Sequence, residues 1–376
     1  MVSSGSRPQA PSRRTDDQVF QGAVIAAVVP AYREEKLIAT VITTMPDFVD
    51  HIVIVDDCSP DGTSAAVEAV GDPRVTLIRH EKNTGVGGAI VTGHKAAMKL
   101  GSDINVIMAG DAQMDPAALP ALLRPITVQG YGFAKANRFF APESFKGMPG
   151  YRVFGNIVLS FMTKLASGYW NLFDAQNGYT ATRTDVLERL PLDHISQGYS
   201  FENDYLIHLN ILQTGATDVP IAALYGEETS TISLKRVIPE LLRLLTFGFW
   251  KRIWYRYVLW SFSPVAVLLF LGLPLFLIGF VLAILFTVLT AGTGTATAGT
   301  TMLAALPIIV GTQMLLAALQ LDIQGSPDKP THEPFLSAAE RAQLTTERAR
   351  GALPPAATTI GLAPSEDTET DSELTR

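Results

Sequence analysis

From Tyr257 to Leu321 the chain carries no Asp, Glu, Lys, Arg or His. Crossing a bilayer takes about 20 apolar residues, so this run is long enough to cross twice. The Gly/Thr-rich stretch TAGTGTATAGTT near its middle supplies a turn between the crossings. A buried soluble hairpin would rarely stay free of charge for so long, and a membrane hairpin is the expected structure. The charges just ahead of it share one sign. Lys235, Arg236, Arg243, Lys251, Arg252 and Arg256 all precede the first crossing. The positive-inside bias puts that flank in the cytoplasm. Two crossings bring the chain back, so the bulk of the protein and both termini are expected on the cytoplasmic side.

The remaining composition narrows the partners. A net charge of −7 argues against nucleic acid. The single cysteine, Cys58, cannot form an internal disulfide and suits a reducing compartment. Residues 1–20 are rich in Ser, Arg, Pro and Asp, show no apolar signal-peptide core and read as a disordered arm.

Strands and helices then alternate. AVIAAVVP (23–30) is a continuous apolar run suited to a strand buried on both faces. EKLIATVITTM has helical spacing, HIVIVDD is a second strand, and DGTSAAVEAV opens a helix with Asp61 as its cap. RVTLIRH is a third strand, followed by the small-residue helix GVGGAIVTGHKAAMKLG with its terminal glycine. INVIMAG, PAALPALLRPI and YGFAKANR continue as strand, helix and strand. This spacing predicts an α/β fold, an open and mostly parallel sheet with helices on both faces.

Past residue 139 the alternation stops. PGYRVFGNIVLSFMTKLASGYW reads as a helix and DAQNGYTATR as a turn entering a short strand. YSFENDYLIHLNILQTG reads as an amphipathic helix, and ATDVPIAALYGEETSTI as a strand leading to a polar loop. LKRVIPELLRLLTFGFWKRIWYRY mixes basic, aromatic and aliphatic residues, as helices lying in the membrane interface do. The expected divisions are a folded domain at 21–232, interfacial helices at 233–256, two transmembrane helices at 257–322 and a disordered tail at 323–376.

In such sheets ligands bind beyond the carboxyl ends of the strands. Those ends carry Pro30-Ala31-Tyr32, Asp56-Asp57 and Gly110-Asp111-Ala112-Gln113. Each group alone also reads as a turn or helix cap. Together on one rim their oxygens suit a hard cation carrying a diphosphate. No G-x-G-x-x-G follows the first strand, no P-loop occurs, and no zinc spacing or G-x-S-x-G elbow is present. His80, His94, His194 and His208 are scattered and read as surface or core residues. The glycines of NTGVGGAIVTG read as allowing close approach of the helix to the sheet or of a nucleotide.

VVPAYREE, VIVDDCSPDGT, NTGVGGAI and GDAQMDP, in that order, resemble the family 2 glycosyltransferases of GT-A fold. Within them the chain is similar to the dolichol- and polyprenyl-phosphate sugar synthases over roughly residues 22–245. The resemblance implies that Pro30, Ala31, Tyr32, Glu34, Asp56, Asp57, Asn83, Gly110, Asp111 and Ala112 bind the nucleotide sugar. It implies Mg²⁺ or Mn²⁺ at Asp111 and Gln113. Ala109 stands where the family carries another aspartate, Arg33 where asparagine is usual, and Val86 where lysine is frequent.

The implied reaction is inverting transfer of a sugar from GDP-mannose or a UDP-hexose to a polyprenyl or dolichyl monophosphate. The expected participants are Asp111, Arg138, Glu202 and Asp204 in catalysis. Lys135, Arg138, Arg152, Lys235 and Arg236, with Arg252 beside them, are the cations for the acceptor phosphate, and Asp174 and Gln176 face the sugar or acceptor. For the juxtamembrane cations, attraction to anionic headgroups is the competing role. The layout implies a bacterial-type plasma-membrane protein and leaves a homo-oligomer open. Transfer to a glycolipid or polysaccharide, and a non-catalytic membrane scaffold, are the alternative functions.

Overall fold

The computed structural model describes residues 22–140, 150–174, 176–221, 234–291 and 297–335, the side chains of 151–153 and 234–237 aside. Strands β1 (Ile25–Ala31), β2 (His51–Asp56), β3 (Val75–Arg79), β4 (Ile104–Ile107), β5 (Phe133–Asn137), β6 (Thr180–Arg183) and β7 (Ala216–Pro220) form one sheet in the order β3-β2-β1-β4-β6-β5-β7. Every pairing is parallel except those of β6, which runs antiparallel to both β4 and β5. The mostly parallel sheet expected from the alternation is present.

The apolar run at 25–31 follows from its position. Alternate residues of a strand point to opposite faces. Ile25, Ala27 and Val29 pack with α1 (Ile38–Thr43) and α4 (Leu119–Thr127), through Ile38, Ile42, Leu122 and Ile126. Ala26 and Val28 face the other way, onto Ala89 and Ala97 of α3 (Val86–Lys99). With helices on both sides, neither set of β1 residues meets water, and the sequence shows no polar alternation. At Gly93 of α3 a Cβ would run into Val28, so this helix lies against the sheet as its small residues foretold.

Helix α2 (Thr63–Val70) begins at Gly62, while the Asp61 carboxylate still accepts the Thr63 amide at 3.3 Å. Helix α5 (Gly150–Ser167) precedes β6, and the short α6 (Thr184–Leu187) follows it. Helix α7 (Phe201–Ile211) departs from expectation. It has no solvent face: apart from Glu202 and Asp204 it is buried throughout, with Asn203, His208 and Asn210 inside. It touches α3, α5 and α8 (Leu234–Arg252) at once, which one amphipathic stripe could not satisfy.

A π-helical turn over Ile253–Leu259 leads to α9 (Pro264–Thr290) and α10 (Ala298–Gln324). These helices are 27 residues each. At ~1.5 Å per residue they reach about 40 Å, more than a bilayer core needs. Only 11% and 17% of their most apolar windows are buried. The two pack through small residues. A Cβ on Gly311 would lie 2.6 Å from the Phe276 amide nitrogen, and one on Gly279 2.8 Å from that of Ile308. Such close backbone approach is how helices associate where burial of apolar surface supplies little drive.

Two readings of charge and tail are corrected at the base of this hairpin. Arg252 is fully buried rather than facing headgroups or acceptor: it donates to both Asp322 oxygens at 2.6 and 3.0 Å and to the Ala166 carbonyl. Tyr257 and Trp170 donate to the same carboxylate, and Arg256 donates to Asn210 and Gly325. The chain does not leave the protein at residue 323. Residues 326–335 run along the edge where the parallel strands begin: the Ala216 amide donates to the Pro327 carbonyl, and His332 donates to Gly130. Phe335 ends the strap, packed on the core with the Arg183 guanidinium 4.1 Å from its ring centre. Residues 1–21 and 336–376, covering the expected arm and most of the expected tail, lie outside the described residues.

Candidate active site

The carboxyl ends of β1, β2 and β4 open onto a pocket of about 400 Å³. Pro30, Ala31, Tyr32 and Glu34 line it from β1, Asp57 and Asn83 from beside β2, and Ala109, Gly110 and Asp111 from β4. Gly85, Val86 and Ala89 of the α3 N-terminus close it. These last three and Ala109 were not foreseen as lining residues; the glycine-rich NTGVGGAI was the signal for α3. Gly85 has φ +88, and a Cβ there would sit 2.6 Å from the Gln197 carbonyl oxygen. Only glycine fits.

Asp57 holds the pocket wall. Its carboxylate accepts the Thr84 amide (2.8 Å), the Thr84 hydroxyl (2.9 Å), the Gly85 amide (2.8 Å) and His80 Nδ1 (2.7 Å). Burial works to raise its pKa, but the hydrogen bonds from Thr84, His80 and Gly85 outweigh that and hold it below the usual value. Asp56 is different from its neighbour. It is fully buried, accepts the Ser59 amide and the Ser64 hydroxyl, and does not line the pocket. Its hydrogen bonds shape the turn after β2. Ser59 in turn accepts the Arg33 amide, and Thr63 accepts that of Glu34, so the two turns are laced together.

Asp111 reaches the pocket, and one of its oxygens accepts the Gln113 amide at 3.1 Å. Gln113 and Ala112 do not line it, and the Gln113 side chain is exposed. Among the described residues no group of three His, Cys, Asp or Glu could hold a metal alone. The donor set at the rim, Asp111 and Glu34, both lining the pocket, fits a cation that brings most of its oxygen ligands with it.

The other half of the rim gathers a charge cluster at β5, β6 and β7. Arg138 donates two hydrogen bonds to Asp174 at 2.8 and 3.0 Å, and Asp174 also accepts the Arg138 amide. Asp174 is buried in this pairing, where it positions Arg138. Arg138 keeps 32% of its side chain exposed. Lys135 is buried, with Nζ donating to the Asn177 carbonyl. Burial lowers its pKa against the pull of Asp174, Glu202 and Asp218, and it is out of reach of an acceptor phosphate. Burial raises Glu202, opposed by Lys135. Burial likewise pushes Asp218 up to about 6, although it accepts from Phe173 and Asn137. Gln176 donates to Asn203 at 3.3 Å, facing α7.

Asp204 lies elsewhere. It accepts the Ser196 amide at 2.8 Å, pairs with His208 at 3.3 Å, and lines a separate cavity with Glu240, Arg243 and Lys251. Burial would raise its pKa, but His208 and Ser196 outweigh that and lower it. Asp204 does not line the pocket over β1, β2 and β4. Arg152, Lys235 and Arg236 stand on α5 and α8, and their side chains lie outside the described residues.

An open α/β sheet with a carboxylate-lined pocket over its parallel strand ends, and antiparallel β6 inserted beside it, is a nucleotide-sugar transferase fold of GT-A type. The sequence model of glycosyl transferase family 2 matches residues 26–190. A UDP-N-acetylglucosamine–dolichyl-phosphate N-acetylglucosaminyltransferase of Methanococcus voltae is 32% identical over 219 residues, 54% of this chain and 87% of that protein. An undecaprenyl-phosphate mannosyltransferase of Micrococcus luteus is 30% identical, over 52% of this chain and 82% of that one. Among solved structures, a glucosyl-3-phosphoglycerate synthase of Mycobacterium tuberculosis, with Mn²⁺, UDP-glucose and phosphoglyceric acid, shares the fold. It superposes with a TM-score of 0.50 at 21% identity, covering 66% of this chain and 85% of that one. The chain belongs to glycosyl transferase family 2 and is a glycosyltransferase.

Proposed function

We propose that this enzyme moves a sugar from a nucleoside-diphosphate sugar, GDP-mannose or a UDP-hexose, to polyprenyl or dolichyl monophosphate at the cytoplasmic membrane face. One observation carries the reading. The pocket over β1, β2 and β4 belongs to a chain that also has two helices long and apolar enough to cross a membrane. The two relatives above, named for transfer to dolichyl and undecaprenyl phosphate, support it.

An acceptor phosphate oxygen attacks the anomeric carbon and forms the new C–O bond as the bond to the nucleoside diphosphate breaks, with inversion. The phosphate is already anionic near neutral pH, so no strong general base is required. Asp57 and the α3 N-terminus hold the wall against which the nucleotide lies. Asp111 faces the diphosphate, where Mg²⁺ or Mn²⁺ would act as a Lewis acid on the leaving group. Arg138, held by Asp174 and partly exposed, is the cation assigned to the acceptor phosphate. The test is nucleoside-diphosphate release that depends on added polyprenyl phosphate, across a panel of nucleotide sugars. Asp111→Ala is expected to abolish it. Retention of most activity would overturn the site, and release independent of the lipid phosphate would point to another acceptor.

A further inference from the structure

The wall of the pocket formed by α3 is backed by a loop that comes much later in the chain. Residues 196–200, which lead into α7, lay their backbone on the N-terminus of α3. The Gly88 amide donates to the Gln197 carbonyl at 3.2 Å. A Cβ on Gly87 would sit 2.6 Å from the Ser196 carbonyl oxygen, as close as one on Gly85 would come to that of Gln197. Gly85, Val86 and Ala89 line the pocket, so the seat of this loop sets the position of the wall they make.

Two ties run from the loop to α8. In the first, Asp204 accepts the Ser196 amide at 2.8 Å, and Lys251 of α8 donates to His208 Nε2 at 2.9 Å. An ammonium only donates, so Nε2 accepts and the ring proton sits on Nδ1. Nδ1 faces the Asp204 carbonyl at 2.9 Å and its carboxylate at 3.3 Å. The relay thus runs from Lys251 through His208 and Asp204 to the loop amide. In the second tie, Ser200 donates to Glu240 of α8 at 3.4 Å, and its hydroxyl lies 2.8 Å from that of Ser196. Glu240 and Lys251 stand about three turns apart on one side of α8, lining one cavity with Ser196, Ser200 and Asp204. None of these residues lines the pocket over β1, β2 and β4. We propose that Asp204, His208 and Lys251 are positioning residues for that pocket. They seat the 196–200 loop against α3, so that affinity for a nucleoside diphosphate depends on how α8, the helix leading into the hairpin, is held. The proposal rests on the pocket being the nucleotide site.

The test uses the full chain in nanodiscs and reads the dissociation constants of UDP and GDP with Mg²⁺ or Mn²⁺, beside the KM of each substrate. Asp204→Asn and Lys251→Met are each expected to weaken the nucleotide that the parent binds by on the order of tenfold, about one charge-assisted hydrogen bond. KM for the nucleotide sugar should rise with it, while KM for polyprenyl phosphate and kcat at saturation stay unchanged. The two act in series, so the double variant should bind no more weakly than either single one. Lys251→Arg, which keeps a donor, should bind like the parent. Lys251 is exposed, so its variants carry the test where Asp204→Asn yields too little folded protein. A fall in melting temperature with unchanged dissociation constants makes the relay structural only and overturns the proposal, as do additive losses. Val86→Trp, which fills the pocket from an exposed position, separates this proposal from the reading beneath it. If it abolishes nucleotide binding while Asp204→Asn and Lys251→Met leave it intact, the relay alone falls. If Val86→Trp binds nucleotide like the parent, the pocket assignment and the relay fall together.

Discussion

Three residues at the pocket rim hold the left-handed conformation without being glycine: Arg33 (φ 64), Cys58 (φ 59) and Ala112 (φ 58). One follows each of β1, β2 and β4, so each of the three turns carries local strain of about 1–2 kcal/mol where the ligand is to be met. This explains why asparagine or glycine suits positions 33 and 58. Ala109, two residues before Asp111, lines the pocket with a methyl group. Ala109→Asp is expected to lower the Mg²⁺ or Mn²⁺ concentration giving half-maximal activity severalfold, with melting temperature little changed; an unchanged metal titration would show that position 109 does not reach the cation. Asp218 makes a pH prediction. Its folded pKa, about 6, lies above its unfolded value near 3.8. Stability from its protonated form is therefore complete below about pH 4 and is lost as pH rises through 6, on the order of 2–3 kcal/mol. Asp218→Asn should flatten the melting-temperature profile between pH 4 and 6. The rim motifs were legible in sequence because each is a few contiguous residues at a strand end. The burial of Lys135 and the Arg138–Asp174 pair were not, since they depend on β6 inserting antiparallel between β4 and β5.

At the scale of elements, the strands and the two apolar helices could be read because each satisfies its environment by a local pattern. Helix α7 could not. Its Asn203, His208 and Asn210 look like a polar face in sequence and are buried against three other helices in the fold. The hairpin of α9 and α10 makes the testable case. A side chain at Gly311 collides with the backbone of α9, whereas one at Gly299 meets nothing closer than Thr297 at 3.9 Å. Gly311→Leu is expected to destabilise the detergent-solubilised protein by roughly 1–3 kcal/mol, as overpacking does. Gly299→Leu is the control and should melt near the parent. Equal melting of the two would mean that the helices do not meet at Gly311.

Over the whole molecule, the Arg252–Asp322 pair ties α8 to the far end of α10, with Tyr257 and Trp170 on the same carboxylate. Removing one partner of a buried pair strands the other charge, at about 3–5 kcal/mol. Arg252→Ala should therefore lower the melting temperature sharply, and Arg252→Met combined with Asp322→Leu should recover much of the loss. If the double variant is no better than the single, the hydrogen bonds to Ala166, Tyr257 and Trp170 matter more than the unpaired charge.

The strap at 326–335 has a consequence for modularity. The edge strand β7 owes the cover over Ala216 to residues that the ribosome makes only after both apolar helices, and Phe335 closes the core beneath Arg183. A version cut before residue 257 would lose Asp322, the strap and that cover together, leaving Arg252 without its carboxylate and an open strand edge ready to pair with another chain. The catalytic part is not a detachable head on a membrane stalk: its last structural pieces arrive from the far side of its own anchor.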